Sequence, residues 1–302
     1  MTDWKPDICI YHGGCDDGFG AAWSVWRKWP DVQFVPGVYG KLPPVETRGK
    51  NILMVDFSYK RDVLEKLPFN NLVILDHHKT AEQEIRPWAG CSMKALREGA
   101  ELICAQAATE TGHPIAAHFD MNTSGAVMAW DFCFTIPHND PPPNMLALIQ
   151  DRDLWRFAFG DRTKEFSAAL RTYPMDFAVW DAIAADPDKL IADGKIILRA
   201  HQFNVNKFCE EAFTERISGY DVPCVNVPYH YASDVAHELL QRNPEAPFAA
   251  AWFKRGDGLF QASLRSENHR VDVSEIAKKH GGGGHRNAAG FQIPSMKDSP
   301  TP

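Results

Sequence analysis

"NLVILDHH", residues 71–78, is the stretch on which the fold turns. Leu, Val, Ile and Leu run without alternation into an aspartate and two histidines. An uninterrupted, branched apolar run of this length reads as a strand buried on both faces, as strands of parallel sheets are. Upstream, "NILMVDFSY" (51–59) repeats the plan, an apolar run ending in an acid. "DICIYH" (7–12) does so again, and "VQFVPG" (32–37) is a shorter strand. Helical patterns lie between them, "GAAWSVWRKW" after the first strand and "KRDVLEKL" after "NILMV". Strands alternating with helices predict a parallel sheet with helices on its faces. In such sheets ligands bind outside the carboxyl ends of the strands. Asp56, Asp76, His77, His78 and the loop "YHGGCDDGFG" (11–20) all fall at those ends.

Composition bounds the possibilities. The chain has 302 residues, 44% hydrophobic and 24% charged, which is ordinary globular material for about two domains. No apolar run approaches the ~18 residues a membrane helix needs. The start, "MTDWKPD", lacks the basic-then-apolar pattern of a secretory signal. Seven cysteines, odd in number and without a CxxC, fit reduced thiols in the cytoplasm better than a disulfide framework. Net charge is −7, with 19 Lys+Arg against 26 Asp+Glu in residues 1–190 and 13 against 13 thereafter. Such a balance argues against binding long duplex DNA by broad electrostatics. An acidic surplus in the first part suits bound cations.

Beyond the first strands the pattern is looser. Residues 81–120 look partly helical and read as an insertion or lid whose strands the pattern does not locate. "FDMNTSGAVMAWDFCF" predicts a helix from near Gly125, capped by Asn122, Thr123 or Ser124. "HNDPPP" is a breaker. "NMLALIQDRDLWRF" is a helix or buried strand ending in Asp151 and Asp153. Asp186 and Pro187 predict the cap and first position of a long amphipathic helix joining two domains. The remainder reads as strand ("VPCVNVPYH"), helix ("SDVAHELLQR"), then two strands turning at Gly256-Asp257-Gly258. A short helix follows, "DVSEIAKKH", with Ser274 as cap and "GGGGH" as stop, and the tail after Ile293 reads as loose. Trp23, Trp26 and Trp130 sit at helical spacing and are expected in the core.

A single aspartate at a strand end is most often a turn former, and a single histidine most often structural. The weight lies in their joint placement: His12, Asp16 or Asp17, Asp56, the Asp76-His77-His78 triplet, and Asp151 or Asp153. Imidazole with carboxylate suits Mn²⁺, Fe²⁺ or Zn²⁺. A pair of metals needs a carboxylate able to bridge them, and such a pair acidifies water and clamps an in-line phosphoryl displacement. "GGGGHRNAAG" (281–290) is a second cluster, whose backbone amides could approach an anion or simply form a flexible hairpin. Arg265, ending a predicted strand in "SLRS", suits a phosphate or plain solvent. Cys15 has no partnered base at a useful spacing for a nucleophile.

Taken together, "YHGGCDDGFGAAW", "MVDFSY", "VILDHHKTA", "FDMNTSGAVMAW", "IQDRDLWRF", "SLRS" and "VDVSEIAKKHGGGGHRNAAGF" resemble the DHH phosphoesterase superfamily with its C-terminal DHH-associated domain. The triplet with the glycine-histidine element far downstream, in that order, is the specific part. The resemblance implies an α/β chain: an N-terminal parallel-sheet DHH domain (1–188), a helical linker (189–218) and a smaller C-terminal α/β substrate domain (219–302), with a cleft between the domains. It implies two divalent ions, Mn²⁺ first among them. By the same resemblance Asp56 bridges the metals, His77 ligates, His78 touches phosphate and Asp76 orients the triplet. Asp151 is the last ligand with Asp153 as the fallback, and His12 and Asp17 belong to the first motif. Arg265, Gly282, Gly283, Gly284 and His285 grip a substrate phosphate. One departure stands out: many members carry two acids one residue apart in the first motif, and here that spacing from Asp17 lands on Cys15. Either Asp16 replaces the acid, or Cys15 ligates, or one metal has fewer protein ligands. The implied activity is hydrolysis of phosphodiester bonds in short single-stranded oligonucleotides or dinucleotides by metal-activated water, without a membrane and as a homodimer. The alternatives are a phosphomonoesterase acting on a 3′,5′-bisphosphate, or a metal-free nucleotide-binding regulator.

Overall fold

The structure, a computed structural model, describes residues 4–138 and 141–294, with side chains left aside at 135–138. The chain divides into two compact units, Met1–Leu198 and Arg199–Pro302. The DHH-type parallel-sheet expectation and the mixed α/β class both hold.

The first unit is a five-stranded parallel sheet in the order β2-β1-β3-β4-β5. Its strands are β1 (Ile8–His12), β2 (Gln33–Gly37), β3 (Asn51–Val55), β4 (Asn71–Asp76) and β5 (Ile115–Phe119). Between them run α1 (Asp16–Lys28), α2 (Arg61–Leu64), α3 (Lys79–Glu84) and α4 (Met93–Thr111). The apolar runs of β3 and β4 are buried on both faces, as their lack of alternation requires. Leu53, Val55, Val73 and Leu75 pack under α1 and α4, while Ile52, Met54, Leu72 and Ile74 pack against Phe57, Leu64 and Trp88. Register does the rest. Tyr11 pairs with Val55 and Val55 with Leu75, so His12, Asp56 and Asp76 emerge level with one another at the carboxyl edge.

Residues 81–120 are not a lid. Leu96, Ala100 and Cys104 of α4 lie in the sheet's core, and β5 pairs in parallel with β4, so the segment is one more strand-helix-strand unit. Its strand escaped the pattern because "IAAHF" is short and alanine-rich, with little β-branched character. Four helices complete the unit: α5 (Gly125–His138), α6 (Asn144–Asp153), α7 (Asp161–Leu170) and α8 (Phe177–Ala185). They enclose a second core of Phe19, Trp23, Trp130, Leu146, Ile149, Phe166 and Trp180. Trp23 and Trp130 stack there with ring centroids 5.9 Å apart, and Trp26 is partly buried at its margin. Helix α5 starts at Gly125 as its sequence predicts, with Ser124 Oγ 3.5 Å from the Val127 amide. Of the "HNDPPP" breaker, Asn139 and Asp140 lie outside the described residues.

Helix α9 (Asp188–Glu210) crosses the boundary between units. Asp186 is not its cap but the residue that closes α8, its amide donating back to Ile183 O. The second unit is a six-stranded sheet in the order β10-β11-β9-β8-β7-β6. The strands are β6 (Phe213–Ile217), β7 (Tyr220–Asn226), β8 (Ala249–Lys254), β9 (Phe260–Arg265), β10 (Gly283–His285) and β11 (Ala288–Ile293). Helix α10 (Ala232–Arg242) joins the parallel pair β7 and β8, and α11 (Val273–Lys279) precedes β10. Because β6 pairs with β7, residues 213–217 belong to this sheet and not to a helical linker. The cap of α11 is Asp272, whose carboxylate accepts from the Ser274 amide and hydroxyl; Ser274 is itself a helical residue. The tail from residue 295 lies outside the described residues.

Candidate metal centre

Asp17, Asp56, Asp76 and His77 are almost wholly buried, at 1%, 1%, 0% and 1% exposure. Four such groups together are costly unless each is paired or neutralised. The pairing centres on Asp56. Its Oδ1 lies 2.9 Å from His77 Nε2, and its Oδ2 lies 3.3 Å from His12 Nδ1 without forming a hydrogen bond. Its backbone is left-handed, φ 55°, a conformation that costs a non-glycine residue about 1–3 kcal/mol. The strain aims the carboxylate across the sheet edge, between two groups of donors. On one side His12, Cys15 and Asp56 bring ligand atoms within 4.8 Å of each other; on the other, Asp17, His77 and Asp153 do the same.

Each position has a local cause. Asp17 lies in the first turn of α1, and its carboxylate accepts from the amides of Gly125 (2.6 Å) and Ala126 (3.1 Å) at the start of α5. That fixes its Oδ2 at 3.6 Å from His77 Nε2. Gly125 is a steric requirement, since a Cβ there would sit 2.3 Å from Asp56 Cβ. Gly125→Ala is therefore expected to displace Asp56 and weaken metal binding about 10–100-fold, read by equilibrium dialysis. Asp76 Oδ1 accepts from the amides of His77 (2.7 Å) and His78 (3.1 Å) and from His78 Nδ1 (2.7 Å). This is the orienting geometry expected of it. Tyr39, 46% exposed just past β2, sets its ring 5.3 Å from that of His12 and 4.7 Å from that of Phe57.

Two expectations for this unit are corrected. Asp151 is not a ligand: its Oδ1 accepts from Ala158 N (2.8 Å), and its Oδ2 from Phe159 N (3.2 Å) and Thr163 Oγ1 (2.5 Å). It is the clasp of the loop between α6 and α7. Asp153, the fallback, faces the cluster instead, with Oδ2 at 3.6 Å from His77 Nε2 and accepting no hydrogen bond. Two residues on a helix point about 200° apart, so only one of the pair can face the centre. Asp16 is not in either group; it faces Arg171, 3.5 Å away. Sequence reasoning passed over Tyr39, although it follows a strand end like the others.

The electrostatics are those of a site short of positive charge. Burial, together with the charges of Asp56 and Asp153, pushes the Asp17 carboxyl well up, and burial above all raises Asp153. Burial would raise Asp56 too, but the imidazoles of His12 and His77 beside it outweigh burial and hold that carboxyl well below its usual range. Burial opposes charge on His77, yet the hydrogen bond to Asp56 and the nearby carboxylates raise it well above 6.5. Burial and the carboxylates of Asp56, Asp153 and Asp17 likewise raise the Cys15 thiol. Without metal, then, the His77 proton is what partly neutralises the cluster. Its stabilising effect is complete below pH about 6.5 and lost as pH rises through the raised folded value. The Asp56 contribution is present above about 3.9 and lost only as pH falls through its depressed value. Metal-stripped protein is accordingly expected to lose Tm as pH rises above about 6.5, and metal-loaded protein to hold it, by calorimetry.

In the second unit Gly282 does not offer its amide to an anion, because that amide donates to Ala277 O at 2.9 Å. The glycines there answer to close packing: a Cβ on Gly282 would meet Gly290 O at 2.1 Å, and one on Gly284 would meet Ala288 O at 2.5 Å. Gly283 and His285 pair with Gly290 and Ala288 in the hairpin. Arg265 Nη1 donates to Leu264 O (2.8 Å) and Ser263 Oγ (3.3 Å), and its Nη2 to Ser233 Oγ (2.5 Å).

Residues 229–300 match the DHHA1 domain family. The C-terminal part of the chain is thereby identified as a DHHA1 domain. A DHH domain from a member of the s1p family of ribosomal proteins shares the fold, at a TM-score of 0.53 and 10% identity, over 96% of this chain and 83% of that one. The uncharacterized protein R106 of Acanthamoeba polyphaga mimivirus is 29% identical over 97% of this chain and 69% of its own length. A pGpG-specific phosphodiesterase from Vibrio cholerae aligns over 96% of this chain and 94% of its own length, at 12% identity and a TM-score of 0.46. Among the described residues no helix is long and apolar enough to cross a membrane, and all seven cysteines are free.

Proposed function

We propose that this protein is a metal-dependent phosphodiesterase that cleaves short single-stranded oligonucleotides or dinucleotides. The observation that carries the reading is Asp56, a buried carboxylate whose two oxygens face different donor groups. A carboxylate so placed is what two cations a few ångströms apart need in common. His12, Cys15 and Asp56 would hold one ion, and Asp17, Asp56, His77 and Asp153 the other. Bound there, a pair of divalent ions, Mn²⁺ by our reading, acidifies water and offsets charge on a phosphate. The chain's own residues supply the rest. Asp76 accepts from the backbone amides of His77 and His78 and from the His78 ring, so the triplet's backbone and the His78 imidazole are held in place before reaction. His78, with a side chain 15% exposed, is the group able to donate to a phosphate oxygen at the rim. Arg265 and His285 serve substrate selection in the DHHA1 unit.

The test is a panel of dinucleotides, oligonucleotides of two to ten residues, a nucleoside 3′,5′-bisphosphate and an aryl phosphodiester. Each is incubated with metal-stripped protein plus Mn²⁺, with products resolved by length. Mononucleotide release from the short diesters, abolished by chelator, supports the reading. Turnover of the bisphosphate alone would replace it with a phosphomonoesterase, and an inert panel would leave a nucleotide-binding protein.

A further inference from the structure

We infer that Cys15 is a metal ligand, and that the His12–Cys15–Asp56 half of the centre takes a thiophilic divalent ion such as zinc or cobalt, while the Asp17–His77–Asp153 half takes a harder one such as manganese. This rests on the cluster being a metal centre, as proposed above, but not on any particular substrate.

The first observation is placement. Cys15 occupies the position before α1, where Ser, Thr, Asp or Asn would normally cap, and its side chain makes no capping bond. Its Sγ instead lies within 4.8 Å of ligand atoms from His12 and Asp56. Donors sharing one tetrahedral ion at ~2.0–2.3 Å lie about 3.3–3.8 Å apart, so a small adjustment closes the set. Among the described residues no other cysteine joins such a group. The second observation is independent of the thiol. Asp56 Oδ2 is buried and accepts no hydrogen bond, and neither does His12 Nδ1 form one. Buried polar atoms left so are exceptions that call for a partner. The third is elimination: Asp16, the nearest alternative acid, is held toward Arg171.

Ligand type then separates the two halves. One thiolate, one imidazole and a carboxylate favour zinc or cobalt, whereas two carboxylates with one imidazole accept manganese. The two ions of this centre therefore differ.

The experiment loads metal-stripped full-length protein with Co²⁺ and records near-ultraviolet absorption, where thiolate-to-cobalt charge transfer appears, alongside metal counted by dialysis. The band is expected in the wild type and in Cys91→Ser, and absent in Cys15→Ser and Cys15→Asp. Zinc affinity should fall at least about tenfold in Cys15→Ser. Cys15→Asp should gain affinity for Mn²⁺ at the same step. As a measurement on unmodified sequence, alkylation of Cys15 mapped by mass spectrometry should be blocked by zinc and not by magnesium. Cobalt bound without the band, or a band that survives Cys15→Ser, overturns the inference. A band without hydrolysis of any diester would sink the proposed function and leave this inference standing. Hydrolysis without the band would do the reverse.

Discussion

Asp151→Ala is expected to unfold the first unit at lower temperature, and Asp153→Asn to leave the fold intact while removing the proposed activity. The two residues are neighbours on α6 and the same chemical type, yet the structure gives them opposite tasks. Asp151 accepts two amides and a hydroxyl from the loop that leads into α7. Its removal strands buried donors, at about 1–3 kcal/mol each where water cannot reach them. A total of about 2–5 kcal/mol corresponds to a Tm drop of roughly 5–15 °C in a unit of this size. Metal affinity measured below that temperature should change little. Asp153 is the converse case. Its Oδ2 is buried beside His77 and Asp56 with no hydrogen bond, and burial raises its carboxyl. Replacing it with the neutral isostere removes a desolvated charge from a crowded acidic site, so metal-free Asp153→Asn should melt no lower than the parent. Its metal affinity should fall by at least about a hundredfold, the upper range for groups that only support ligands. If Asp151→Asn loses metal while Asp153→Asn keeps it, the assignment of the last ligand is reversed.

That pair also marks where the sequence stops being informative. The apolar runs at 51–55 and 71–75 specify a buried parallel sheet without help, because nothing else buries branched residues on both faces. Their polar ends then specify the site, since parallel register carries His12, Asp56 and Asp76 to one edge. Choosing between Asp151 and Asp153 needs the phase of α6, and "NMLALIQDRD" is apolar enough around its circumference that the phase is not written in it. The same limit applies to Asp16 and Asp17. Both fall in the first turn of α1, and which one faces the sheet depends on where the helix begins, decided here by Asp17 meeting the α5 amides more than a hundred residues later in the chain. The glycines at 281–284 were legible as a special backbone but not as to its reason. Free amides and close packing call for the same residue, and only the strand β11 running against them tells the two apart.

Asp56→Ala is expected to have the largest effect of any substitution in the protein. Both donor groups share this carboxylate, so its loss should remove both metals and lower turnover by at least about a thousandfold in the oligonucleotide assay. Stability falls as well. Breaking the buried contact with His77 costs about 3–5 kcal/mol. No relief of the left-handed backbone offsets this in alanine, which tolerates φ 55° no better than aspartate. Asparagine does tolerate it, keeps the shape and drops only the charge. Asp56→Asn should thus be as inactive as Asp56→Ala yet melt higher. It also carries a signature that mere damage would not produce. The His77 imidazolium owes its raised pKa largely to the Asp56 carboxylate that accepts from it, helped by Asp153 and Asp17. With a neutral amide in that place the raised value falls, so the stability that metal-free protein loses above pH about 6.5 should be smaller and its loss complete at a lower pH. An Asp56→Asn protein whose metal-free Tm follows the parent's pH profile unchanged would mean that the charge on Asp56 does not govern His77, and the two-sided carboxylate would lose its place at the heart of the centre.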